Sequence, residues 1–464
     1  MNALWKKVLI VGTGKSGIAA ASLVAGCGGC AVLFDENETI DKEACRQQVL
    51  GKVKDKNSCG EIAVLTGLSN LTKEYLKDFT LAVLSPGVPT DQAVANLLRE
   101  NDLPIWGEIE MAWSLEKGRV LAITGTNGKT TTTSLLGSIM KRAVKNVLVV
   151  GNIGTPYTEE VQKSDGDSCT VAEISSFQLE TTHDFHPVVS AILNLTPDHL
   201  NRHHTMENYV RAKQDITKKQ TKEDVCVLNA DDPYTEAFLP QCPARVVLFS
   251  SSKELADGFF YKEGVIYRAQ SGKAERLLAM DETRLLGVHN AENIMAAVAM
   301  ADAAGVPMDT ILAAVKVFTA VEHRIEFVST VDGVDYYNDS KGTNPDAAIK
   351  AVNAMVKPTW LIGGGYDKDS TYDEWIESFG DKIRGLVLLG QTKEKIAACA
   401  KEHGFEPVFM TETFEEAVNL CREKAVSGEA VLLSPACASW GMFKNYEQRG
   451  EIFKELVHSF EGKE

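Results

Sequence analysis

The sequence predicts an α/β protein of about three domains, and three observations point to this fold class. The chain has 464 residues, which at roughly 150 residues per domain suits three domains. Short runs of apolar and β-branched residues alternate along it with segments long enough for helices. Glycine-rich turns follow several of these runs. Such strand–helix alternation is typical of parallel sheets covered by helices on both faces.

Composition excludes several other classes of protein. Apolar residues make up 44% and charged residues 24% of the chain, which is ordinary for a globular protein and unlike a disordered, collagen-like or coiled-coil chain. The formal net charge of −16 argues against nucleic acid or an anionic membrane as a partner. No apolar run is long enough to span a bilayer, and residues 1–7 lead directly into a strand, so no signal peptide is expected. We therefore expect a cytoplasmic protein whose 10 cysteines are thiols and not a disulfide framework.

The first block, residues 1–107, opens with an apolar strand at Lys7–Gly12. A glycine-rich turn and an alanine-rich helix at Ile18–Ala25 follow, and Ala31–Asp35 is the second strand. Leu81–Leu84 is a further strand, which ends at a Ser-Pro-Gly turn. These are parts of βαβ units, so the block is expected to form a parallel sheet.

The second block, residues 108–320, contains a strand at Arg119–Thr124, a glycine-rich turn and a helix that begins at Lys129. Further buried strands are expected at Asn146–Val150, Thr170–Ile174, Ser190–Leu195 and Asp224–Leu228. Residues 248–275 are richer in Gly, Tyr and Lys and predict a small antiparallel excursion. A helix with Ala and Met on its inner face is expected at Asn290–Ala304.

The third block, residues 321–464, repeats the strand–helix alternation. Its predicted strands are Val334–Asn338, Thr359–Gly363, Gly385–Leu389 and Ala430–Leu433. Its predicted helices lie near Asp346–Met355 and Phe443–Phe460. The block is therefore expected to form another sheet covered by helices.

The first motif is GTGKSG at residues 12–17, between a strand and a helix, with Asp35 at the end of the next strand. The glycines permit a tight turn and a close approach of a pyrophosphate to the helix N-terminus, and the acidic residue suits a ribose hydroxyl. Taken alone, this pattern is equally typical of a nicotinamide dehydrogenase and of a doubly wound domain with a glycine turn. Any nucleotide diphosphate fits the same geometry.

The second motif, TGTNGKTTT at residues 124–132, follows a clear strand and opens a helix. The backbone N–H groups of such a loop wrap phosphate oxygens, Lys129 can reach the β- and γ-phosphates, and the Thr130 hydroxyl can bind Mg²⁺. Ile123 stands where the usual P-loop has its first glycine, so this loop is a shorter variant. The sequence predicts an ATP site here. A kinase or a ligase uses such a loop, whereas a hydride-transfer enzyme does not.

Two candidate metal ligands follow predicted strands of the second block. Glu173 ends the strand at Thr170–Ile174, and His199 comes just after Ser190–Leu195. Open α/β sheets bind ligands at the carboxyl ends of their strands, and Mg²⁺ prefers oxygen ligands while tolerating an occasional imidazole. Taken alone, a Glu or a His at the end of a strand more often has a solvated or capping role. His203 and His204 nearby are interpreted as a turn.

Taken together, the motifs of this sequence resemble those of the ATP-dependent Mur ligase family of peptidoglycan synthesis. The resemblance covers nearly the whole chain and consists of ten strings in the family's order: GTNGKTTTT, GNIG, EISSFQLE, TPDHL, YVRAK, NADDP, HNAEN, EHRIE, NDSKGTN and SPACAS. It implies a Rossmann-like N-terminal domain at residues 1–107, a central P-loop ATPase-type domain at 108–320 and a Rossmann-like C-terminal domain at 321–464. Folylpolyglutamate synthetases share the last two domains but lack such a first domain.

Within the family, the GTGKSG and SPGVP strings and the ending SPACASWGMFKNYEQRG most resemble the branch that adds D-glutamate to UDP-N-acetylmuramoyl-L-alanine. Members that add meso-diaminopimelate are expected to carry a DNPR-like string, and this chain has Thr-Asn-Pro-Asp at residues 343–346 instead. The resemblance therefore implies a ligase that uses ATP to form an acyl phosphate, which the amine of D-glutamate then attacks.

The resemblance also assigns residues to ATP and Mg²⁺. The ATP-binding residues it implies are Gly125, Thr126, Asn127, Gly128, Lys129, Thr130, Thr131, Asn290, Asn293, Arg324 and Asp339. The metal ligands it implies are Thr130, Glu173, His199 and Lys213, with two Mg²⁺ ions expected and with Lys213 carried as a carbamate. Lys129, His199, Lys213 and Arg324 are the implied catalytic residues. From the residues alone, Lys213 is simply a helix lysine.

The remaining implied residues bind the other two substrates. For the UDP-sugar they are Gly14, Ser16, Asp35, Ser85, Gly87 and Asn152. For D-glutamate they are Lys341, Thr343, Lys368, Ser439 and Tyr446. The expected partners are thus small molecules, namely UDP-N-acetylmuramoyl-L-alanine, D-glutamate and ATP, and the expected state is a monomer. Three alternatives stay open: a sister ligase for another amino acid, a nucleotide-dependent switch, and the dehydrogenase.

Overall fold

The structure is a computed structural model that describes residues 5–53, 59–152, 154–319, 322–367 and 370–461. It divides into two compact units. The first unit comprises Met1–Leu278 and Glu292–Val315, and the second comprises Ala279–Ala291 and Lys316–Glu464. The division into three domains with boundaries after residues 107 and 320 stays a prediction.

The first unit contains a five-stranded sheet built from the first block. Its strands are β1 (Lys7–Val11), β2 (Cys30–Asp35), β3 (Ile62–Thr66), β4 (Leu81–Leu84) and β5 (Ile105–Gly107). They follow the order β3-β2-β1-β4-β5, and every neighbouring pair is parallel. The helices are α1 (Lys15–Gly26), α2 (Lys42–Lys52), α3 (Lys73–Leu76), α4 (Ala93–Glu100) and α5 (Glu108–Trp113). The predicted parallel sheet is confirmed.

A nine-stranded sheet follows in the chain. Its strands are β6 (Arg119–Thr124), β7 (Val147–Gly151), β8 (Cys169–Glu173), β9 (Val189–Ile192), β10 (Val225–Asn229), β11 (Arg245–Ser250), β12 (Gly258–Lys262), β13 (Val265–Gln270) and β14 (Lys273–Ala279). Their order is β14-β13-β12-β11-β10-β9-β6-β8-β7. The antiparallel excursion expected at residues 248–275 is confirmed for the β12–β13 pair, whereas β11 and β12 pair in parallel and extend the sheet.

Eight helices of the described residues accompany this part of the chain. They are α6 (Lys129–Ala143), α7 (Tyr157–Glu160), α8 (Ser176–Leu179), α9 (Leu200–His203), α10 (Met206–Gln214), α11 (Thr235–Phe238), α12 (Val288–Ala303) and α13 (Met308–Val317). Helix α12 corresponds to the predicted helix at Asn290–Ala304, with its Ala and Met side chains buried. No helix within the described ranges is long and apolar enough to cross a membrane.

The second unit is built around a six-stranded sheet. Its strands are β15 (Glu326–Val331), β16 (Val334–Asn338), β17 (Thr359–Gly363), β18 (Ile383–Leu388), β19 (Val408–Met410) and β20 (Ala430–Leu433). Their order is β15-β16-β20-β17-β18-β19, and only the edge pair β15–β16 among the recorded pairs is antiparallel. The helices are α14 (Pro345–Ala354), α15 (Asp373–Glu377), α16 (Lys393–Glu402), α17 (Phe414–Lys424) and α18 (Tyr446–His458).

Five strands have the predicted bounds to the residue, and four of them are almost entirely buried along their length. They are Leu81–Leu84, Arg119–Thr124, Val334–Asn338, Thr359–Gly363 and Ala430–Leu433. Other predicted boundaries are wrong by one to three residues, and two of the larger differences have a local cause. Strand β9 ends at Ile192 and not at Leu195, because the next residues bend to hydrogen-bond a glycine-rich loop. Helix α18 begins at Tyr446 and not near Phe443, because the Asn445 side chain accepts a hydrogen bond from the Gln448 N–H and caps the helix.

Candidate functional site

The glycine-rich loop between β6 and α6 has the backbone shape of a phosphate cradle. Gly125 and Gly128 have φ of 148° and 83°, in a region that side-chain-bearing residues rarely adopt. A Cβ at Gly128 would also overlap the Asn293 side chain. Gly128 is the residue before helix α6, so the free N–H groups of that helix begin at the loop. The predicted helix start at Lys129 is confirmed.

Hydrogen bonds to Asn194, which follows β9, and to Tyr209 hold the loop in place. The Asn194 carbonyl accepts a hydrogen bond from the Thr126 N–H at 2.8 Å, and its side-chain oxygen accepts one from the Asn127 N–H at 2.8 Å. The Thr126 hydroxyl lies 2.9 Å from the Tyr209 hydroxyl. Asn194 lies inside a strand predicted from the sequence, so the sequence predicts no role for it. Its position directly after an apolar run was the signal that could have identified it.

Two lysines converge on one carbonyl of this loop. Lys129 Nζ and Lys213 Nζ each lie 2.8 Å from the Gly125 oxygen, and Lys129 Nζ is also 2.8 Å from the Thr126 oxygen. Lys213 is only 2% exposed, on helix α10. Burial, and then the nearby charge of Lys129, lower the pKa of Lys213 well below its usual value. The Lys213 amine is therefore biased toward its neutral, nucleophilic form.

Glu173 has the surroundings expected of a cation ligand. It ends β8, is 1% exposed, and its Oε1 accepts a hydrogen bond of 2.8 Å from the Asn152 side chain. Its Oε2 is buried and has no hydrogen-bond partner among the described residues. An unpaired buried carboxylate oxygen is costly, and it is the kind of ligand that Mg²⁺ prefers. Asn152, predicted to bind the nucleotide sugar, thus lies against the candidate metal ligand.

His199 lies in the turn before α9, with a left-handed φ of 53° and a side chain that is 51% exposed. Its ring packs against Phe177 at 4.8 Å between centroids, and its Nε2 is 3.5 Å from Asp198. The turn expected at His203 and His204 holds for His204 but is wrong for His203. His203 is the last residue of helix α9, and it is buried because its ring stacks on Phe177. Its Nε2 lies 2.9 Å from the Ser176 hydroxyl.

Two residues predicted to bind the UDP-sugar, Asp35 and Ser85, form hydrogen bonds with the first glycine-rich loop. The Thr13 hydroxyl donates a hydrogen bond to Asp35 at 2.8 Å. Asp35, at the end of β2, therefore helps to hold the loop in place. The Ser85 hydroxyl donates to the Gly12 oxygen at 3.4 Å. Gly14 precedes helix α1 and is exposed, as is Gly87 in the turn after β4, while Ser16 lies in the first turn of α1 and is half-buried. The carboxyl ends of β1, β2 and β4 therefore meet at this loop.

The adenine-binding candidates lie on α12. Asn293 Oδ1 accepts a hydrogen bond of 3.2 Å from the Thr132 hydroxyl of α6, beside the phosphate loop. Asn290, three positions earlier in the helix, donates to the Leu286 oxygen at 2.7 Å. Thr130 and Thr131 lie in the first turn of α6. The structure thus places Asn293 next to the loop that the sequence assigned to ATP.

In the second unit, Asp339 follows β16 and is buried beside Ser434 and Arg324. The Ser434 hydroxyl donates to Asp339 at 2.7 Å. Burial outweighs the opposing effects of that hydrogen bond and of the Arg324 charge, and it raises the pKa of Asp339 to about 7. Arg324 Nε is buried and has no hydrogen-bond partner within the part of the chain that the structure describes. An unpaired buried guanidinium donor suits an anionic ligand such as a phosphate.

Replacing Asp339 with asparagine is expected to reduce the loss of stability at rising pH. The folded state keeps a proton on Asp339 up to a pKa of about 7, whereas the unfolded chain loses it near pH 4. The free energy of unfolding therefore falls as pH rises through this window. In the variant that fall should be smaller by on the order of 1–4 kcal/mol, measured by urea denaturation at about pH 5 and about pH 7.5. Asp346→Asn, at an exposed site, should keep the wild-type fall, and an equal fall in all three proteins would contradict the prediction.

The residues predicted to bind D-glutamate are partly assembled within the second unit. Lys341 Nζ lies 5.4 Å from the centre of the Tyr446 ring, and Ser439 is buried. Thr343 closes a turn in which its N–H donates to the Lys341 oxygen at 2.9 Å. Lys368 lies outside the described residues. The structure therefore shows Lys341 and Tyr446 side by side.

Arg449 organises this region and was not found from the sequence. Its guanidinium donates to the Ser340 hydroxyl at 2.9 Å, to the Ser340 oxygen at 2.7 Å and to the Cys437 oxygen at 3.2 Å. It thereby joins the loop after β16 to the loop after β20. Burial lowers the pKa of Arg449 to about 10. An arginine in an amphipathic helix normally predicts a solvated side chain, so the sequence contained no signal for this role.

Comparisons with known proteins identify the relatives of this chain. Family models match residues 123–301 as a Mur ligase middle domain and residues 323–437 as a Mur ligase glutamate ligase domain. The UDP-N-acetylmuramoylalanine–D-glutamate ligase of Lachnoclostridium phytofermentans is 54% identical over 459 residues, covering 99% of each chain. Its counterpart in Lachnospira eligens is 52% identical and covers 98% of this chain and 99% of its own. The crystal structure of the UDP-N-acetylmuramate-alanine ligase MurC from Thermotoga maritima shares the fold, with a TM-score of 0.61, 18% identity, and coverage of 98% and 99%.

Proposed function

Because the chain belongs to the Mur ligase family, we propose that it joins D-glutamate to UDP-N-acetylmuramoyl-L-alanine in an ATP-dependent step of peptidoglycan precursor synthesis. The observation that carries this proposal is the 54% identity, over 99% of both chains, to a relative named for that reaction. The loop at Gly125–Lys129 with Lys213 beside it supports an ATP-dependent reaction, because it presents helix N–H groups and a lysine to a phosphate.

The proposed reaction has two steps. A substrate carboxylate oxygen attacks the γ-phosphorus of ATP, the bond to ADP breaks, and an acyl phosphate forms. The amine of D-glutamate then attacks the acyl carbon through a tetrahedral intermediate, and inorganic phosphate leaves. Lys129 and the loop N–H groups would stabilise the negative charge that develops on the phosphate oxygens, which is the main protein contribution to phosphoryl transfer.

Mg²⁺ fits the residues around this loop. Glu173 offers a buried oxygen that has no hydrogen-bond partner among the residues the structure describes, and we propose Thr130, His199 and Lys213 as the further ligands, for two ions. Lys213 would serve as a carbamate, which replaces an ammonium by oxygen ligands that a hard cation accepts. When bound, Mg²⁺ would supply positive charge to the phosphate oxygens and orient them.

We propose the other substrate contacts from the resemblance to the family. Lys341 and Lys368 would pair with the carboxylates of D-glutamate, with Thr343, Ser439 and Tyr446 around it. Arg324 and Asp339 would act on the γ-phosphate and on the ATP ribose. Asn290 and Asn293 would contact adenine. Gly14, Ser16, Asp35, Ser85, Gly87 and Asn152 would bind the UDP-sugar. The enzyme would act as a cytoplasmic monomer on small molecules.

The specificity of the enzyme is tested by phosphate release. With ATP and UDP-N-acetylmuramoyl-L-alanine present, D-glutamate should accelerate release by at least about 10²-fold over L-glutamate, L-alanine or meso-diaminopimelate, because a site built to pair two carboxylates and one amine rejects a wrong stereocentre. Release with another amino acid would move the protein to a sister step of the family. If no amino acid caused phosphate release, ligase activity would be contradicted. The alternative of a nucleotide-dependent switch would then be favoured.

A further inference from the structure

A cluster of metal-ligating side chains lies on the surface of the second unit, and none of its members has a role assigned above. Cys399 lies in helix α16. His403 is four positions after Cys399 and directly follows the last residue of that helix. Asp373 begins the neighbouring helix α15. The Cys399 sulfur, one His403 ring nitrogen and one Asp373 carboxylate oxygen all lie within 4.8 Å of one another. Residues four apart share a helix face, so Cys399 and His403 face the same neighbour.

The distances are close to those of a tetrahedral metal site. His403 Nε2 lies 3.1 Å from Asp373 Oδ1. With zinc–ligand bonds of about 2.0–2.3 Å, two ligand atoms of a tetrahedral site lie about 3.3–3.6 Å apart. The histidine–aspartate pair is therefore already near the required separation. Side-chain movements of about 1 Å, on a partly exposed surface, would bring the Cys399 sulfur into the same coordination sphere.

The second nitrogen of His403 also has the partner that a metal-binding imidazole needs. His403 Nδ1 lies 3.5 Å from Glu377 Oε1, one turn after Asp373 on α15. A metal-bound histidine almost always donates its other N–H to a carboxylate, a carbonyl or water, which fixes the ring orientation. Glu377 would fill this role while Nε2 faces Cys399 and Asp373.

The charge around the cluster favours a cation. Within the described ranges, His403 is the sole ion-pair partner of Asp373 and of Glu377. Burial, followed by the charges of Asp373, Glu402 and Glu377, raises the pKa of the Cys399 thiol. The thiol thus lies in a negative electrostatic potential, which a bound divalent cation would relieve.

A second cluster in the same unit shows the contrasting case. Glu322, His323 and Glu451 also place their ligand atoms within 4.8 Å of one another. There, however, Lys454 Nζ lies 2.9 Å from Glu451 and pairs with Glu322 and Glu326 as well. His323 Nδ1 lies 3.0 Å from the Asn338 side chain. That cluster already has a lysine cation among its carboxylates, in the place that a metal ion would take.

We propose that Cys399, His403 and Asp373 form a binding site for a divalent cation of the zinc type, with Glu377 orienting His403 and water completing the coordination. A thiolate and an imidazole together select zinc-like ions over the hard Mg²⁺ of the ATP reaction. On binding, the metal–sulfur bond forms and the thiol proton passes to solvent, so the affinity rises with pH. The site lies between α15 and α16 and would link the two helices.

Cobalt(II) titration of the full-length protein tests the site, because cobalt replaces zinc and reports thiolate ligation by a ligand-to-metal charge-transfer band. The band should saturate at one equivalent, disappear on addition of Zn²⁺ and persist in excess Mg²⁺. Cys399→Ser should abolish it, and His403→Ala should weaken cobalt binding about 10-fold or more. Two matched controls should keep the band: Glu402→Gln, which removes a carboxylate of α16 outside the ligand set, and Cys30→Ser, which removes another partly buried thiol.

Two results would overturn the proposal. One is the absence of a charge-transfer band at equimolar cobalt, with the protein shown to be folded by its thermal unfolding. The other is an unchanged band in Cys399→Ser, which would assign the thiolate ligand to another cysteine.

Discussion

Replacing Lys129 with alanine is expected to lower D-glutamate-dependent phosphate release by about 10²–10³-fold. In the structure, Lys129 Nζ donates to the Gly125 and Thr126 oxygens, both within the phosphate loop. The same ammonium is therefore at the place where phosphate oxygens would accumulate charge. Alanine keeps the start of helix α6 and removes only this charge, so the loss should appear in the rate and not in the fold.

Lys141→Ala is the matched control for this experiment. Lys141 lies in the last turn of the same helix and is exposed, so its removal should leave phosphate release unchanged. Thermal unfolding of both variants should stay within a few degrees of the wild type, which separates a lost contact from a lost fold. Phosphate release that survives Lys129→Ala within a few-fold would refute the assignment of the loop to ATP.

Replacing Lys213 with alanine is expected to lower the rate of phosphate release by about 10²-fold or more relative to the wild type. Lys213 is buried beside Lys129, and both contact the Gly125 oxygen. Two cations in that place repel each other, and burial with the Lys129 charge lowers the pKa of the Lys213 amine. A neutral amine reacts with CO₂ to give a carbamate and a proton, and this converts the repulsion into attraction. The loss on substitution would therefore be the loss of a carboxylate-like ligand.

The carbamate itself gives a direct measurement. Protein equilibrated with ¹³C-bicarbonate should show a carbamate carbon signal by NMR that is absent from Lys213→Ala. Added formate or acetate should restore part of the variant's activity, because a small carboxylate can occupy the space that the side chain leaves. Lys219→Ala, at an exposed position shortly after α10, should match the wild type in both measurements. Identical carbon spectra for wild type and Lys213→Ala, or full activity of the variant, would contradict the role proposed for Lys213.

Much of the fold could be predicted from the sequence because its strands are marked locally. Arg119–Thr124 and Thr359–Gly363 are apolar, β-branched runs bounded by glycine, and their bounds were correct to the residue. The phosphate loop was predicted for the same reason, since Gly125, Gly128 and Lys129 are adjacent in the chain. Edge strands such as β19 were not predicted, because a strand of three residues that is half exposed lacks a distinctive pattern.

The candidate site was less predictable because its key properties depend on residues far apart in the chain. Asn194 supports the phosphate loop from 67 residues away, and Lys213 reaches the Gly125 oxygen from 88 residues away. Arg449 joins Ser340 and Cys437 in the same manner. In the sequence, Lys213 and Arg449 are ordinary helix residues, and only the resemblance to a family gave Lys213 a role.

The sequence by itself therefore determined the α/β class, the parallel order expected of the first sheet and the position of the phosphate loop. These depend on burial patterns and on glycines within a few residues of one another. Only the tertiary structure decided that Lys213 is buried against Lys129, that one Glu173 oxygen has no partner in the described part of the chain, and that Cys399, His403 and Asp373 meet at one surface. The physical reason is that charge, burial and pKa are properties of neighbours in space, and neighbours in space are brought together by packing between distant parts of the chain.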